Sequence, residues 1–269
     1  NNSSDTYVSW NWLGANGTAS NSDGSITSTV SANTTAGFSI VSYTSGQSGA
    51  FSIGHGLSSA PKMFIAKSRD SGTDNWGFYY SVRGTNTNFM TLDQTNAQGS
   101  NTADPDANGV ADGADGYTGV YAVLNSSTIS IAPSAYANSG TSAIGYCFAE
   151  VQGFSKFGSY TGNGDADGPF VYTGFKPAWI MLKETSGTSD WSMYDNKREP
   201  FNLADSTLEA NTSDAEATVS GRPIDMLSNG FKLRGNSSFT NEDGATYIYM
   251  AFAEHPFVTA GTKAAGTAR

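Results

Sequence analysis

The chain has 269 residues, with 14 Lys+Arg against 24 Asp+Glu and a formal net charge of −10. So few basic residues argue against nucleic acid as a partner, because neutralising phosphates needs clustered Lys and Arg. Charged residues reach only 14% and aromatics 12%, alongside 31 Gly, a mixture that disfavours both a helical protein and a disordered tail and suits short strands joined by turns.

Taken in chain order, Tyr7-Val8-Ser9-Trp10-Asn11-Trp12 reads as an aromatic-rich strand, the closing strand of a unit that precedes it. Residues 1–36 are accordingly expected to be the end of a preceding domain or a linker strand. The chain opens on Asn1 rather than Met, which fits a piece of a longer protein. From Gly37-Phe38 onward a pattern begins that is later repeated. Its first copy continues with Tyr43-Thr44, Gly54-His55-Gly56-Leu57, Pro61-Lys62-Met63-Phe64-Ile65-Ala66-Lys67, Asn75-Trp76 and Tyr79. The second copy runs Gly153-Phe154, Tyr160-Thr161, Tyr172-Thr173-Gly174-Phe175, Pro177-Ala178-Trp179-Ile180-Met181-Leu182-Lys183, Asp190-Trp191 and Tyr194. Each copy closes on Phe-Ala-Glu, at Phe148-Ala149-Glu150 and Phe252-Ala253-Glu254. The prolines lie 116 apart (177 − 61), the tryptophans 115 (191 − 76) and the closing phenylalanines 104 (252 − 148), so insertions and deletions fall between matched segments. The repeat divides the chain into units at residues 37–152 and 153–269.

Each copy reads as one β unit. Gly and Pro mark strand starts, because Pro presets φ and cannot donate to a central ladder. Met63-Phe64-Ile65-Ala66 and Trp179-Ile180-Met181-Leu182 are short apolar runs between turn residues, as expected for strands buried on both faces. Trp76-Gly77-Phe78-Tyr79-Tyr80 and Trp191-Ser192-Met193-Tyr194 are expected to be their hairpin partners, across turns at Ser68–Gly72 and Thr185–Gly187. Gly145–Ala149 and Tyr247–Phe252 are expected to close each sheet, and only Phe201 to Glu216 hints at a helix. The fold class is all-β, with two tandem related β-sandwich (jelly-roll-like) units.

Residues suited to catalysis are scarce. The histidines His55 and His255 sit at turns or strand ends with no nucleophile or orienting acid recurring beside them, so both read as structural. Glu150 and Glu254 recur once per copy, which fits a repeated structural role better than a glycosidase pair. No spacing groups Glu150, Glu184, Glu209 and Glu254, and no G-x-S-x-G elbow, H-E-x-x-H or Walker loop is present. Cys147 lies in an apolar run and reads as a buried, inert thiol; a single cysteine also excludes a disulfide within the chain. Neither an apolar run long enough to span a membrane nor a signal peptide is visible. The chain is read as no enzyme.

One segment carries a metal signature. Asp104, Asp106, Asn108, Asp112 and Asp115 place oxygen side chains at loop positions 1, 3, 5, 9 and 12, with Gly109 at the sharp turn and Val110 offering its carbonyl at position 7. That is the spacing of a Ca²⁺ loop, with Asp115 shorter than the usual Glu. It lies in an insertion absent from the second copy, so a stabilising Ca²⁺ is expected there. Four of the 24 acids fall in this loop. By contrast, Asp165 and Asp167 lack further ligands and read as turn residues.

Gly158-Ser159-Tyr160-Thr161-Gly162-Asn163-Gly164, Gly168-Pro169-Phe170-Val171-Tyr172-Thr173-Gly174-Phe175, Leu227-Ser228-Asn229-Gly230-Phe231-Lys232-Leu233 and Tyr247–Glu254 together resemble a C-terminal domain of bacteriophage virion proteins, many from marine and cyanobacterial phages and described as tail-fibre-like or lectin-like. The resemblance covers residues 7–269 and carries over no catalytic residue. It implies a tail fibre, tail-tip or capsid-decorating protein on the virion surface that engages a host cell-surface glycan or protein beside other virion proteins. It also implies a homo-oligomer, with a trimer expected from the habit of fibres. The alternative is a carbohydrate-binding or depolymerase module acting on host surface polysaccharide.

Overall fold

A chain that alternates apolar and small polar residues and breaks every few positions at Gly, Asn or Ser can build only short strands. The computed structural model describes residues 6–45, 51–82, 88–98, 122–131 and 140–255, and in them every regular element is a strand. The first half holds β1 (Ala19–Asn21), β2 (Ser28–Asn33), β3 (Phe38–Thr44), β4 (Phe51–Gly54), β5 (Met63–Ser68), β6 (Gly77–Tyr80), β7 (Asn88–Thr91), β8 (Ala122–Leu124), β9 (Thr128–Ile131) and β10 (Ser142–Phe148). The second holds β11 (Ser155–Thr161), β12 (Phe170–Tyr172), β13 (Pro177–Glu184), β14 (Ser192–Asp195), β15 (Ser206–Glu209), β16 (Ala217–Thr218), β17 (Ile224–Leu227), β18 (Gly230–Leu233) and β19 (Thr246–Ala253).

All strand pairs within these sheets are antiparallel. The large sheet of the first half runs β1-β2-β3-β10-β5-β6-β7 and its small sheet β4-β9-β8. In the second half the large sheet runs β11-β19-β13-β14-β15-β16 and the small one β12-β18-β17. Set aside the added edge strands β1, β2 and β16, and the two halves have the same strand order in both sheets. The registers agree as well: Phe148 lies opposite Met63 in the first half, and Phe252 opposite Trp179 in the second.

Three cores result. One fills the space between the sheets of the first half, with Val41, Tyr43, Phe64 and Cys147 against Phe51, Ile53 and Ile129. A second does the same in the other half, with Tyr160, Ile180 and Tyr247 against Val171, Met226 and Phe231. The third lies where the two large sheets meet back to back: Met63, Phe78, Tyr80 and Phe148 pack with Phe157, Trp179, Trp191 and Phe252. A large-sheet strand is therefore covered on both sides, which is why β5 and β13 read as continuous apolar runs.

Several expectations need correction. Residues 6–18 carry no strand. Trp10 and Trp12 instead pack against the core between the large sheets, with Trp12 5.4 Å from Trp179 and 5.3 Å from Phe252, so this segment is held by its side chains rather than by a ladder. Within residues 1–36, expected as the end of a preceding domain or a linker strand, β2 pairs along β3 and extends the first large sheet. Phe201 to Glu216 forms no helix. Its Asn, Asp, Ser and Thr side chains compete for backbone hydrogen bonds, and the free edge of β14 captures Leu208 and Glu209 in a ladder. The closing strands β10 and β19 lie inside their sheets, each between the first strand and the Pro-initiated strand of its half.

Candidate functional site

The Ca²⁺ loop read at Asp104, Asp106, Asn108, Val110, Asp112 and Asp115 lies outside the described residues. Among the described residues, no group of three or more His, Cys, Asp or Glu is placed to hold a metal ion.

The recurring polar residues of the repeat are tied into turns. His55 is buried; its Nδ1 accepts the Leu57 N–H at 3.1 Å, so Nε2 carries the proton and donates to the Asn125 carbonyl at 3.2 Å. Burial lowers its pKa, partly opposed by the Asn125 contact. Thr173 performs the same task in the second half: its Oγ1 donates to the Phe175 carbonyl at 2.6 Å and accepts the Phe175 N–H at 3.4 Å. Both caps precede a glycine with positive φ, Gly56 at 71° and Gly174 at 85°. A threonine in the equivalent place shows that the imidazole serves a turn. Lys67 and Lys183 likewise donate from Nζ to the carbonyl four residues on, Ser71 and Gly187.

The carboxylates are paired with bases. Glu150 lies 2.8 Å from Lys156, Glu254 2.9 Å from Lys176 and Glu209 2.6 Å from Arg222, while Glu184 accepts the Ser186 hydroxyl at 3.1 Å. His255 is exposed beyond β19. The Cys147 thiol is buried, and burial pushes its pKa upward.

A different face carries exposed aromatic rings. β12 is the edge of the second small sheet, and its alternation buries Val171 while Phe170 and Tyr172 project outward, 45% and 63% exposed. Phe170 pairs with Lys232 on β18, which pairs in turn with Asp225 on β17; Tyr172 pairs with Gly230, then Leu227. The outer face thus carries two rows, Phe170–Lys232–Asp225 and Tyr172–Gly230–Leu227, with both rings on the edge strand and the charged pair in the first row. Lys232 Nζ reaches Asp167 at 3.0 Å and donates to the Gly168 carbonyl at 2.7 Å. Arg234 contacts Asp167 at 3.4 Å and Asp225 at 3.2 Å. The Lys232 hydrogen bond is the main reason that Asp167 sits below the ordinary carboxylate range. Asp165, as expected of a turn residue, accepts the Asp167 N–H at 2.8 Å.

The equivalent face of the first half has none of this. Ser52 and Gly54 stand where Phe170 and Tyr172 do, and Ser130 and Val123 replace Lys232 and Asp225. The β4 edge is also closed: Ser25 and Ser52 exchange N–H to Oγ hydrogen bonds at 2.9 and 2.8 Å, and Ile26 donates to the Ser52 carbonyl at 3.1 Å. A Cβ on Gly54 would meet the Asn21 side chain at 1.6 Å. A separate concavity of about 460 Å³ lies by β1 and β2, between Asn16, Thr18, Ser20 and Asn21 on one side and Val30 and Ala32 on the other. The sequence did hold a signal for the aromatic pair. Phe170-Val171-Tyr172 between Gly168-Pro169 and Thr173-Gly174 has strand period, but period alone leaves open which of its two faces is inward.

Among the described residues, fold and surface together define an all-β protein of two sandwiches joined through their large sheets, with one small sheet open at an aromatic edge strand. No helix among the described residues is long and apolar enough to cross a membrane. The chain belongs to the family described as Domain of unknown function (DUF7483), which matches residues 1–256. No curated protein and no solved structure matches it.

Proposed function

We infer that the chain is a non-enzymatic surface protein of a bacteriophage virion, a tail-fibre, tail-tip or capsid-decorating component that attaches to the host surface. The observation carrying this reading is the exposed Phe170–Tyr172 face. Two rings that project into solvent from one strand, 45% and 63% exposed, support contact with a partner. The ion pairs of Glu150, Glu209 and Glu254 support a structural role for the recurring carboxylates rather than acid–base work. The motif resemblance across residues 158–175, 227–233 and 247–254 supports the virion setting, and homo-oligomeric assembly, as a trimer, goes with it. A stabilising Ca²⁺ at Asp104–Asp115 belongs to the same reading. Mass spectrometry of purified virions tests it: the chain is expected at a fixed copy number per particle, and its absence from virions refutes the assignment. Release of reducing ends from polysaccharide by the purified chain would favour a depolymerase instead.

A further inference from the structure

The charges on the outer face of the second small sheet cancel. Asp167 and Asp225 alternate with Lys232 and Arg234 through contacts of 3.0, 3.4 and 3.2 Å, two acids against two bases. Such a row offers hydrogen-bond donors and acceptors without net charge. The whole chain is at −10, so a polyanion is repelled before it arrives.

Beside that row stands the apolar part. Phe170 and Tyr172 are two residues apart on one face, so their Cα atoms lie about 6.6 Å apart along the strand, on the order of one sugar ring. A Cβ on Gly230 would fall 2.9 Å from the Phe170 ring, so that ring reaches over the bare glycine of the neighbouring row. On the far side, Asn202 brackets β17, its amide donating to the Met226 carbonyl at 3.4 Å and accepting the Met226 N–H at 2.9 Å. Leu203 follows, half exposed, one residue before the inward-facing Ala204, whose antiparallel bridge to Ile224 sets Leu203 opposite Asp225.

The dimensions favour a narrow ligand. Three strands at about 4.8 Å spacing and three to four residues each offer a face on the order of 150 Å². A specific protein partner covers about 800 Å² per side. A chain of sugar rings needs far less, and its two kinds of surface match the two kinds of side chain on this face: apolar C–H faces against aromatic rings, hydroxyls against the charged network.

We propose that the outer face of β12, β18 and β17 binds a neutral linear glycan, its rings stacked on Phe170 and Tyr172 and its hydroxyls bonded to Asp225, Lys232 and Arg234. The proposal rests on the surface-attachment reading above and names its ligand class. The site belongs to the second half alone, because Ser52 and Gly54 replace both rings in the first and residues 25–28 close the edge there.

Affinity electrophoresis of the full chain through gels cast with neutral polysaccharides (a β-glucan, a mannan, a galactan) or acidic ones (alginate, polygalacturonate) tests it. Retardation by at least one neutral polymer is expected, with no retardation by acidic ones. Phe170→Ala and Tyr172→Ala each weaken binding about tenfold, as loss of a stacked anchor does, and Ser52→Ala leaves it unchanged. Both aromatic positions are exposed, so the variants keep the wild-type unfolding midpoint. Three results overturn the proposal: no retardation by any neutral polymer, retardation that both variants retain, or retardation by acidic polymers alone. A Tyr172→Ala change that lowers the mass seen by light scattering instead identifies a subunit contact and overturns it too. Virion incorporation without glycan binding refutes the glycan and spares the virion reading; glycan binding by a chain absent from virions does the reverse.

Discussion

Lys183 offers the sharpest test of the packing. Its side chain is fully buried on β13, and Nζ donates to the Glu184 carbonyl at 2.6 Å, the Gly187 carbonyl at 3.4 Å and Ser189 Oγ at 3.3 Å. Burial lowers its pKa from 10.5 to about 8, with Glu184 and Asp190 opposing the shift. The unfolded chain therefore binds more protons than the folded one between about pH 8 and 10.5, and stability rises with pH across that window. The full shift of 2.5 (10.5 − 8) corresponds to about 3.4 kcal/mol. By pH 9.5, before tyrosines of the unfolded chain ionise in quantity, about 2 kcal/mol of it is realised. Lys183→Met removes the titrating group. The three acceptors it abandons set the stability of the variant at neutral pH but contribute no slope. Urea unfolding followed by tryptophan fluorescence at pH 7, 8, 9 and 9.5 should show the wild-type minus variant difference growing by about 2 kcal/mol in favour of the wild type. Profiles that stay parallel within about 0.5 kcal/mol would refute the burial argument.

Four further outcomes are expected, the last of them from the spacing of the Asp104–Asp115 loop alone. Trp191 is 1% exposed between the large sheets, 4.6 Å from Phe78, and donates from Nε1 to the Thr91 carbonyl at 3.0 Å. Trp191→Ala should cost about 4 kcal/mol in urea unfolding, while Trp76→Ala, at the half-buried equivalent, costs markedly less. His55→Thr, which restores the cap that Thr173 makes, should be about 1 kcal/mol more stable than His55→Ala. Because burial lowers the His55 pKa, the wild type loses stability as pH falls below 6.5, and both variants should flatten that acid limb. Isothermal titration should give Ca²⁺ heat at or below millimolar metal that Asp104→Asn with Asp106→Asn abolishes; a silent wild-type titration removes the metal from the Asp104–Asp115 loop.

How much of this was legible can be seen strand by strand. The Pro-to-Lys runs announced β5 and β13, and the Trp-to-Tyr spacing announced their partners β6 and β14, because hairpin pairing is local and leaves its turn residues in place. The structural reading of His55 also needed only local pattern, since the cap spans two residues. Tyr7–Trp12 was misread because aromatic content records burial and not the means of it: the same indoles suit a ladder strand or a wedge between sheets.

The sequence by itself determined the class of structure and its internal symmetry: an all-β chain in which one strand pattern occurs twice. Apolar continuity in β5 and β13 even implied that both faces are covered. What covers them was decided only in the tertiary structure, where each small sheet takes one face and the opposing large sheet takes the other. The same holds for the two outer faces. Ser52-Ile53-Gly54 and Phe170-Val171-Tyr172 occupy equivalent strands, but among the described residues one edge is closed by residues 25–28 and the other stays open. A strand's pattern is set by its own alternation, whereas its neighbours come from distant segments whose closure depends on the packing of the whole chain.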